Sequence, residues 1–254
     1  MAESATALRQ ELREQLVTQS RVLVIVPAFN EARSVGGVVA ELRAFDPDLA
    51  VVVVDDGSTD DTAAVAAAAG ATVLRLPYNL GIGGAVQTGQ QYGRDEGFDI
   101  AVQVDGDGQH DPRELPKLLV PVLAGDADMA VGTRFGGEDG YRSSLLRRIG
   151  IAVLARVVSM LVRQRVTDPT SGFRAVNRRA LELFAGDYPH DYPEAEATVI
   201  AHRHRLRVLE VPVRMRPRAG GTSSIGGIYS LVYMGKVLVA LFVGLFRSYP
   251  KEVG

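Results

Sequence analysis

Val51-Val-Val-Val-Asp-Asp-Gly-Ser-Thr-Asp60 is an unbroken β-branched run that ends in two adjacent carboxylates and a glycine turn. A valine strand without polar alternation is one buried on both faces, as in a parallel sheet covered by helices. Thr59 and Asp60 suit the start of a helix expected over Thr59–Ala69. Capping does not account for Asp55 and Asp56, because two neighbouring carboxylates at the end of a buried strand lose solvation unless something binds them.

The same pattern recurs on both sides of this stretch. A strand over Val22–Val26 is stopped by Pro27 and opens into Pro27-Ala-Phe-Asn-Glu31, followed by a helix over Val35–Arg43. A strand over Thr72–Leu76 leads through Asn79-Leu-Gly-Ile-Gly-Gly84 into a helix around Ala85–Tyr92. Ile100–Val104 is a strand ending in Asp105-Gly-Asp-Gly-Gln-His-Asp111, and Asp128–Gly132 is another. Beyond Gly136 the chain turns Arg-rich, with a helix expected over Ser143–Arg165 and a strand over Val208–Val213. Short apolar runs alternating with helices predict an α/β domain with a mainly parallel sheet. In such a sheet the carboxyl ends of the strands open onto one edge, so the three polar loops should converge on one crevice.

Asp105 and Asp107 flank a single glycine, and residues two apart on an extended segment point the same way. Both carboxylates can then face one hard cation, Mg2+ or Mn2+, with Gln109 continuing the alternation as a third oxygen donor. His110 stands beside them, although a lone loop histidine is more often solvated. The glycines at 81, 83 and 84 do not meet the dinucleotide spacing, since position 86 is valine, which disfavours a nicotinamide enzyme. They suit a backbone passing close to a ligand before a helix begins.

The chain has 254 residues, 46% hydrophobic and 23% charged, with a formal net charge of -2 and no cysteine. These values describe a globular protein without disulfides or thiolate metal sites and with no bulk attraction to nucleic acid. Positions 1–130 hold 9 basic and 20 acidic residues, and the remainder holds 19 and 10. That asymmetry suits a cation site in front and an anionic partner behind. The N-terminus carries charges where a secretory signal needs an apolar core, so the chain is expected to start in the cytosol.

The motif set now quoted, extended by Gly132-Thr-Arg-Phe135 and Asp168-Pro-Thr-Ser-Gly-Phe-Arg174, resembles glycosyltransferase family 2 over roughly residues 20–224. It is most similar to the branch holding dolichol-phosphate mannose synthases and polyprenyl-phosphate sugar transferases. The resemblance implies a GT-A fold, an inverting reaction and a nucleoside diphosphate sugar as donor. It places Pro27, Asn30, Glu31 and Asp56 on the nucleoside and Asp105, Asp107 and Gln109 on the metal. It also puts Arg218 on the pyrophosphate, and Arg134, Arg148 and Ser171 on an acceptor phosphate. Glu196 matches an acidic position ahead of the Glu210–Val213 strand. Asp107, Arg134 and Asp168 are the implied catalytic set. The chain departs from the branch at Ala152, where serine often follows the acceptor arginine, and at Ser224, where lysine is frequent.

A hydroxyl acceptor must lose a proton, which ordinarily calls for a carboxylate base beside it. Thr167–Arg174 offers one acid, Asp168, where many relatives have an acidic pair. A phosphate monoester is already anionic and needs only positioning by arginines. A polyprenyl phosphate is therefore the expected acceptor. The alternatives are the same fold acting on a soluble hydroxyl acceptor and a non-catalytic nucleotide-sugar-binding subunit.

Three segments are expected: an N-terminal helix over 1–20, the transferase domain over 21–224, and an apolar stretch over 225–254. Ile225–Phe246 has no acid and one base, Lys236, with four glycines. Its transfer balance across a bilayer is marginal, so one or two interfacial helices or a partner-binding surface is expected ahead of a span or a buried core helix. Ile149–Val162, interrupted by Arg156, reads as a second surface-seeking helix, and the back-half arginines as a basic surface near anionic headgroups. Arg142, Arg163 and Arg165 alone suit a solvated helix face. The expected location is cytoplasmic, peripheral to the inner face of the plasma membrane, with a small membrane protein as a candidate partner and a homo-oligomer compatible.

Overall fold

The computed structural model describes residues 20–135 and 145–216, together with helical residues 235–237, 239, 240 and 242. The expected N-terminal helix over 1–20 and most of 225–254 fall outside the described residues. Seven strands form one sheet: β1 Val22–Ala28, β2 Ala50–Asp55, β3 Thr72–Arg75, β4 Ile100–Gln103, β5 Met129–Thr133, β6 Arg174–Asn177 and β7 Val208–Pro212. Their order is β3-β2-β1-β4-β6-β5-β7. All neighbours pair in parallel except β6, which runs antiparallel between β4 and β5. The helices are α1 Val35–Phe45, α2 Thr62–Ala68, α3 Gly81–Asp95, α4 Leu115–Leu123, α5 Leu145–Val162, α6 Arg178–Gly186 and α7 Pro193–Arg203.

Strand side chains alternate between faces, and the two faces build two separate cores. Val22, Val24 and Val26 with Val51 and Val53 pack on one side against residues of α1 and α4. Leu23 and Ile25 with Val52 and Val54 pack on the other against residues of α3 and α6. Burial on both sides is why β1 and β2 carry continuous aliphatic runs. A third cluster joins Leu154 and Val158 of α5, Val166, and Ala195 and Val199 of α7 with Val237.

Two sequence expectations change. Pro27 does not stop β1: the strand runs on to Ala28, whose carbonyl accepts from the Asp56 N–H at 2.9 Å. The ladder between β1 and β4 has already ended at Ile25 and Gln103, so the missing proline N–H removes no bond from it. Asp128 belongs to a brace rather than to a strand. Its carboxylate accepts from Asn177 and Arg207, and the Arg207 hydrogen bonds hold its pKa down at about 2.

The C-terminal stretch is helical where it is described, and it buries Val237 in the third cluster while leaving Lys236, Val239 and Phe242 exposed. Among the described residues no helix is long and apolar enough to cross a membrane.

Candidate active site

The three polar loops do meet. A cleft of about 510 Å³ at the carboxyl edge is lined by Pro27 and Ala28 at the end of β1, Phe29 and Glu31 in the loop after it, Asp56 just after β2, and Asp105, Gly106 and Asp107 after β4. Asn79, Gly81, Ile82 and Ala85 at the start of α3, and Asp191 and Glu194 around the start of α7, complete it.

The adjacent carboxylates that end β2 divide their work. Asp55 is buried, accepts from the Ser58 N–H at 3.1 Å and lies 3.4 Å from Arg75, so it shapes the turn. Asp56 lines the cleft and accepts from the Leu80 N–H at 2.7 Å. Burial pushes its carboxyl above the usual carboxylate range, against the opposing pull of the Leu80 and Gly81 N–H groups.

Asn30, expected on the nucleoside, is instead a brace between two loops. Its N–H donates to the Ser58 hydroxyl at 2.9 Å, and its side-chain oxygen accepts from the Thr59 N–H at 2.9 Å. Its left-handed φ of 54° turns the side chain into the β2 loop, a conformation asparagine tolerates better than most residues. Glu31 stays on the wall, with its carboxylate accepting from the Ser34 hydroxyl at 2.5 Å.

Gly83 makes room for protein rather than for a ligand. A Cβ there would lie 2.2 Å from the Pro189 carbonyl oxygen. The chain crossing at that point is the segment that delivers Asp191 and Glu194 to the cleft.

Asp105 is held from several directions. Gln103 donates to its carboxylate at 3.1 Å, and its backbone N–H donates to His110 Nδ1 at 3.0 Å. Accepting at Nδ1 places the ring proton of neutral His110 on Nε2, 3.7 Å from the Asp105 carboxylate. The imidazole is buried and stacks on Phe173 at 4.6 Å, so His110 orients Asp105 and is not a solvated loop residue. Gln109 points elsewhere: its side-chain amide faces the Arg216 carbonyl at 3.5 Å, while its backbone N–H donates to Asp107 at 3.0 Å. It is not among the cleft-lining residues.

Gly172 backs Asp105 closely. A Cβ there would sit 3.0 and 3.1 Å from the two carboxylate oxygens and 2.9 Å from the Gln103 amide nitrogen. Gly172→Ala should therefore displace the carboxylate and weaken uptake of the Mn2+ expected at Asp105 and Asp107 by roughly ten-fold. Calorimetric titration checks this, and an unchanged midpoint would mean that Asp105 yields without loss.

Arg134 follows β5 and points at Asp168. Its Nε and Nη2 donate to the two carboxylate oxygens at 2.7 and 2.6 Å, and Nη2 also donates to the Thr170 hydroxyl at 2.6 Å. The Asp168 side chain is 0% exposed, which corrects its expected catalytic role: an enclosed carboxylate occupied by a guanidinium holds that guanidinium and does not reach a substrate. Ser171 is buried and Arg148 is exposed on α5, and neither lines the cleft. Arg218 lies outside the described residues.

The acid on the wall is Glu194 rather than Glu196, and Asp191 joins it. The available signal was Asp191-Tyr-Pro-Glu194, with proline in the first turn of a helix and acids at its start. Buried Arg174 donates to the carbonyls of Ser171 and Glu194 and supports this helix start from within the protein. Burial pushes the Glu194 carboxyl above its ordinary value, opposed by the nearby Arg174 charge.

Among the described residues the wall therefore presents six carboxylates, Glu31, Asp56, Asp105, Asp107, Asp191 and Glu194, and no lysine or arginine. A diphosphate would be repelled there unless a cation accompanied it, and hard oxygen donors suit Mg2+ or Mn2+. Among the described residues no group of three acids or histidines is disposed to hold an ion alone. Asp105 and Asp107 fit a cation that takes its remaining ligands from substrate phosphate and water, the usual habit of Mg2+.

Residues 23–184 match the family described as Glycosyl transferase family 2. The chain is 33% identical to the polyprenol monophosphomannose synthase of Mycolicibacterium smegmatis, over 82% of each chain. It is also 33% identical to the undecaprenyl-phosphate mannosyltransferase of Micrococcus luteus, over 82% of this chain and 88% of that one. Among solved structures, glucosyl-3-phosphoglycerate synthase from Mycobacterium tuberculosis, in complex with Mn2+, uridine diphosphate and glucosyl-3-phosphoglycerate, superposes with a TM-score of 0.70. It is 22% identical and covers 93% of this chain and 83% of that one, a likeness of fold.

Proposed function

The chain belongs to glycosyl transferase family 2, and from that premise we propose that it moves a hexose-type sugar from a nucleoside diphosphate sugar to a polyprenyl phosphate, with inversion at the anomeric carbon. The observation that carries the donor half is the gathering of six acids at the sheet's carboxyl edge, with no lysine or arginine among the described lining residues, a charge that favours a diphosphate accompanied by a divalent cation. Pro27, Phe29 and Ile82 supply the apolar side for a base, and Asp56 and Glu31 the acceptors for its donor groups or for ribose. Asp105 and Asp107 would hold Mg2+ or Mn2+, whose positive charge would offset the charge gathering on the leaving diphosphate. Arg218 is assigned to the same diphosphate through charge-assisted hydrogen bonds. Glu194, with its raised proton affinity, is suited to hydrogen-bond sugar hydroxyls.

The acceptor half draws on the two polyprenyl-phosphate relatives and on the enclosure of Asp168, the one acid of Thr167–Arg174 that could have served a hydroxyl acceptor as base. Arg134 and Arg148, with Ser171 behind them, are the proposed acceptor-phosphate set. The enzyme would work at the cytoplasmic face of the membrane that holds its acceptor.

One observation favours a second reading. Asp191 and Glu194 stand on the wall, where a carboxylate could take the proton of a soluble hydroxyl acceptor. Phase partition of the product separates the two. Transfer into the organic phase with undecaprenyl phosphate, dependent on Mn2+ and abolished by chelation, is expected; product confined to the aqueous phase with phosphoglycerate or a free sugar would overturn the lipid assignment. Near saturation, nucleoside diphosphate with Mn2+ should raise the melting temperature by roughly 5 °C or more.

A further inference from the structure

The chain that leaves β7 returns to the loop carrying Asp105 and Asp107 and fastens onto it. His110 and Met215 form an antiparallel bridge. The Arg216 N–H donates to the Gln109 carbonyl at 2.9 Å, and the Gln109 side-chain amide donates to the Arg216 carbonyl at 3.5 Å. The Gln109 N–H in turn donates to the Asp107 carboxylate at 3.0 Å. Two consecutive hydrogen bonds therefore run from the backbone of Arg216 to a carboxylate on the cleft wall. Neither Gln109 nor Arg216 lines the cleft itself.

The Arg216 side chain secures the same junction. Its Nη1 donates to Glu41 of α1 at 2.6 Å and its Nη2 lies 2.9 Å from the Asp111 carboxylate, so one guanidinium ties α1 to the end of the loop. Asp111 also caps the helical turn Pro112–Glu114 by accepting from the Arg113 N–H, and Glu114 accepts from the Arg214 N–H at 3.1 Å. The Arg216 and Glu41 side chains are 34 and 52% exposed, and ion pairs that open to water contribute little to folding stability. What a planar fork held by two anions supplies is orientation, which a single ammonium does not reproduce. The loop has need of it. Gly106 and Gly108 flank Asp107, and Gly108 has a left-handed φ of 78°, so the local backbone sets the direction of that acid only weakly.

We propose that Arg216 is a positioning residue for the cation: by holding Gln109 from outside the cleft, it keeps Asp107 beside Asp105 without touching ion or donor. This role rests on the assignment of the cation to Asp105 and Asp107, and it names what fixes the second of them. The Gln109 amide serves the same junction as a strut.

The test is Mn2+ titration of the full chain with nucleoside diphosphate present, read from the paramagnetic resonance signal of the free ion. Arg216→Met keeps the aliphatic stem and removes the fork. It should raise the Mn2+ midpoint by roughly ten-fold, while the melting temperature without metal stays near that of the wild type. Arg216→Lys keeps the charge and should fall between, at about three-fold. Glu41→Gln, at an exposed position outside the cleft lining, should move the midpoint in the same direction, and it carries the test if Arg216→Met does not fold. In the metal-free protein, amide exchange across residues 107–110 should quicken in Arg216→Met, a readout independent of any bound ion. A wild-type midpoint in Arg216→Met, or in Glu41→Gln where the first variant unfolds, would overturn the role, as would unaltered exchange in the metal-free variant. A wild-type chain that takes up no Mn2+ would refute the cation assignment and this role with it.

Discussion

Asp107→Ala is expected to cut sugar transfer by roughly a thousand-fold or more, about 4 kcal/mol of transition-state stabilisation. The side chain is buried on the cleft wall beside Asp105, where a cation accompanying the donor would be bound. Its effect on the unliganded fold should have the opposite sign. Six carboxylates face one cleft, and removing one relieves repulsion among like charges. The melting temperature without ligand should hold or rise. Adding Mn2+ and nucleoside diphosphate should raise the melting temperature of the wild type and leave that of the variant in place. Transfer at the wild-type rate by Asp107→Ala would remove this cleft as the donor site.

Arg134→Met is expected to act on the fold itself, lowering unfolding free energy by about 3–5 kcal/mol. The side chains of the pair are 9% and 0% exposed. Losing the guanidinium leaves the Asp168 carboxylate enclosed beside a thioether, with only hydroxyl and backbone donors near it. Urea unfolding followed by circular dichroism measures the shift. Adding Asp168→Asn to Arg134→Met should recover part of the loss, because the uncompensated charge goes with it. Both variants should transfer sugar poorly, since the base of α5 loses its clasp. A wild-type urea midpoint for Arg134→Met would show that the ion pair does not close that base.

The acidic cleft was legible because it sits where local rules apply. Pro27 lies at the end of β1, and Glu31, Asp56, Asp105 and Asp107 follow strands, whose aliphatic runs announce burial on both faces, and parallel strands deliver their carboxyl ends to one edge. Asn30 shows the limit of that logic. It lies in a cleft loop, yet its backbone conformation turns it toward Ser58 and Thr59, and sequence position does not encode side-chain direction. The direction of Gln109 is hidden in the same way, because its partner Arg216 comes from the far end of the described residues.

The surroundings of Arg134, Asp168 and Glu194 depended on contacts between segments distant in sequence. β6 is four residues long and is a strand only because β4 and β5 lie on either side of it, with Arg174 opposite both Gln103 and Val131. Asp168 read as a solitary acid in a loop; its pairing with Arg134 made it a structural anion. Asp191 and Glu194 reached the wall because Gly83 lets the Pro189–His190 backbone cross α3.

By itself the sequence determined the α/β class, the parallel core and the edge on which the polar loops open, because burial pattern and strand direction are local, periodic properties. Only the tertiary structure decided which acids face the cleft and which are spent inside the protein. Whether a carboxylate meets solvent, a ligand or an arginine depends on neighbours brought in from elsewhere along the chain, and the low polarity around it then sets its protonation and its role.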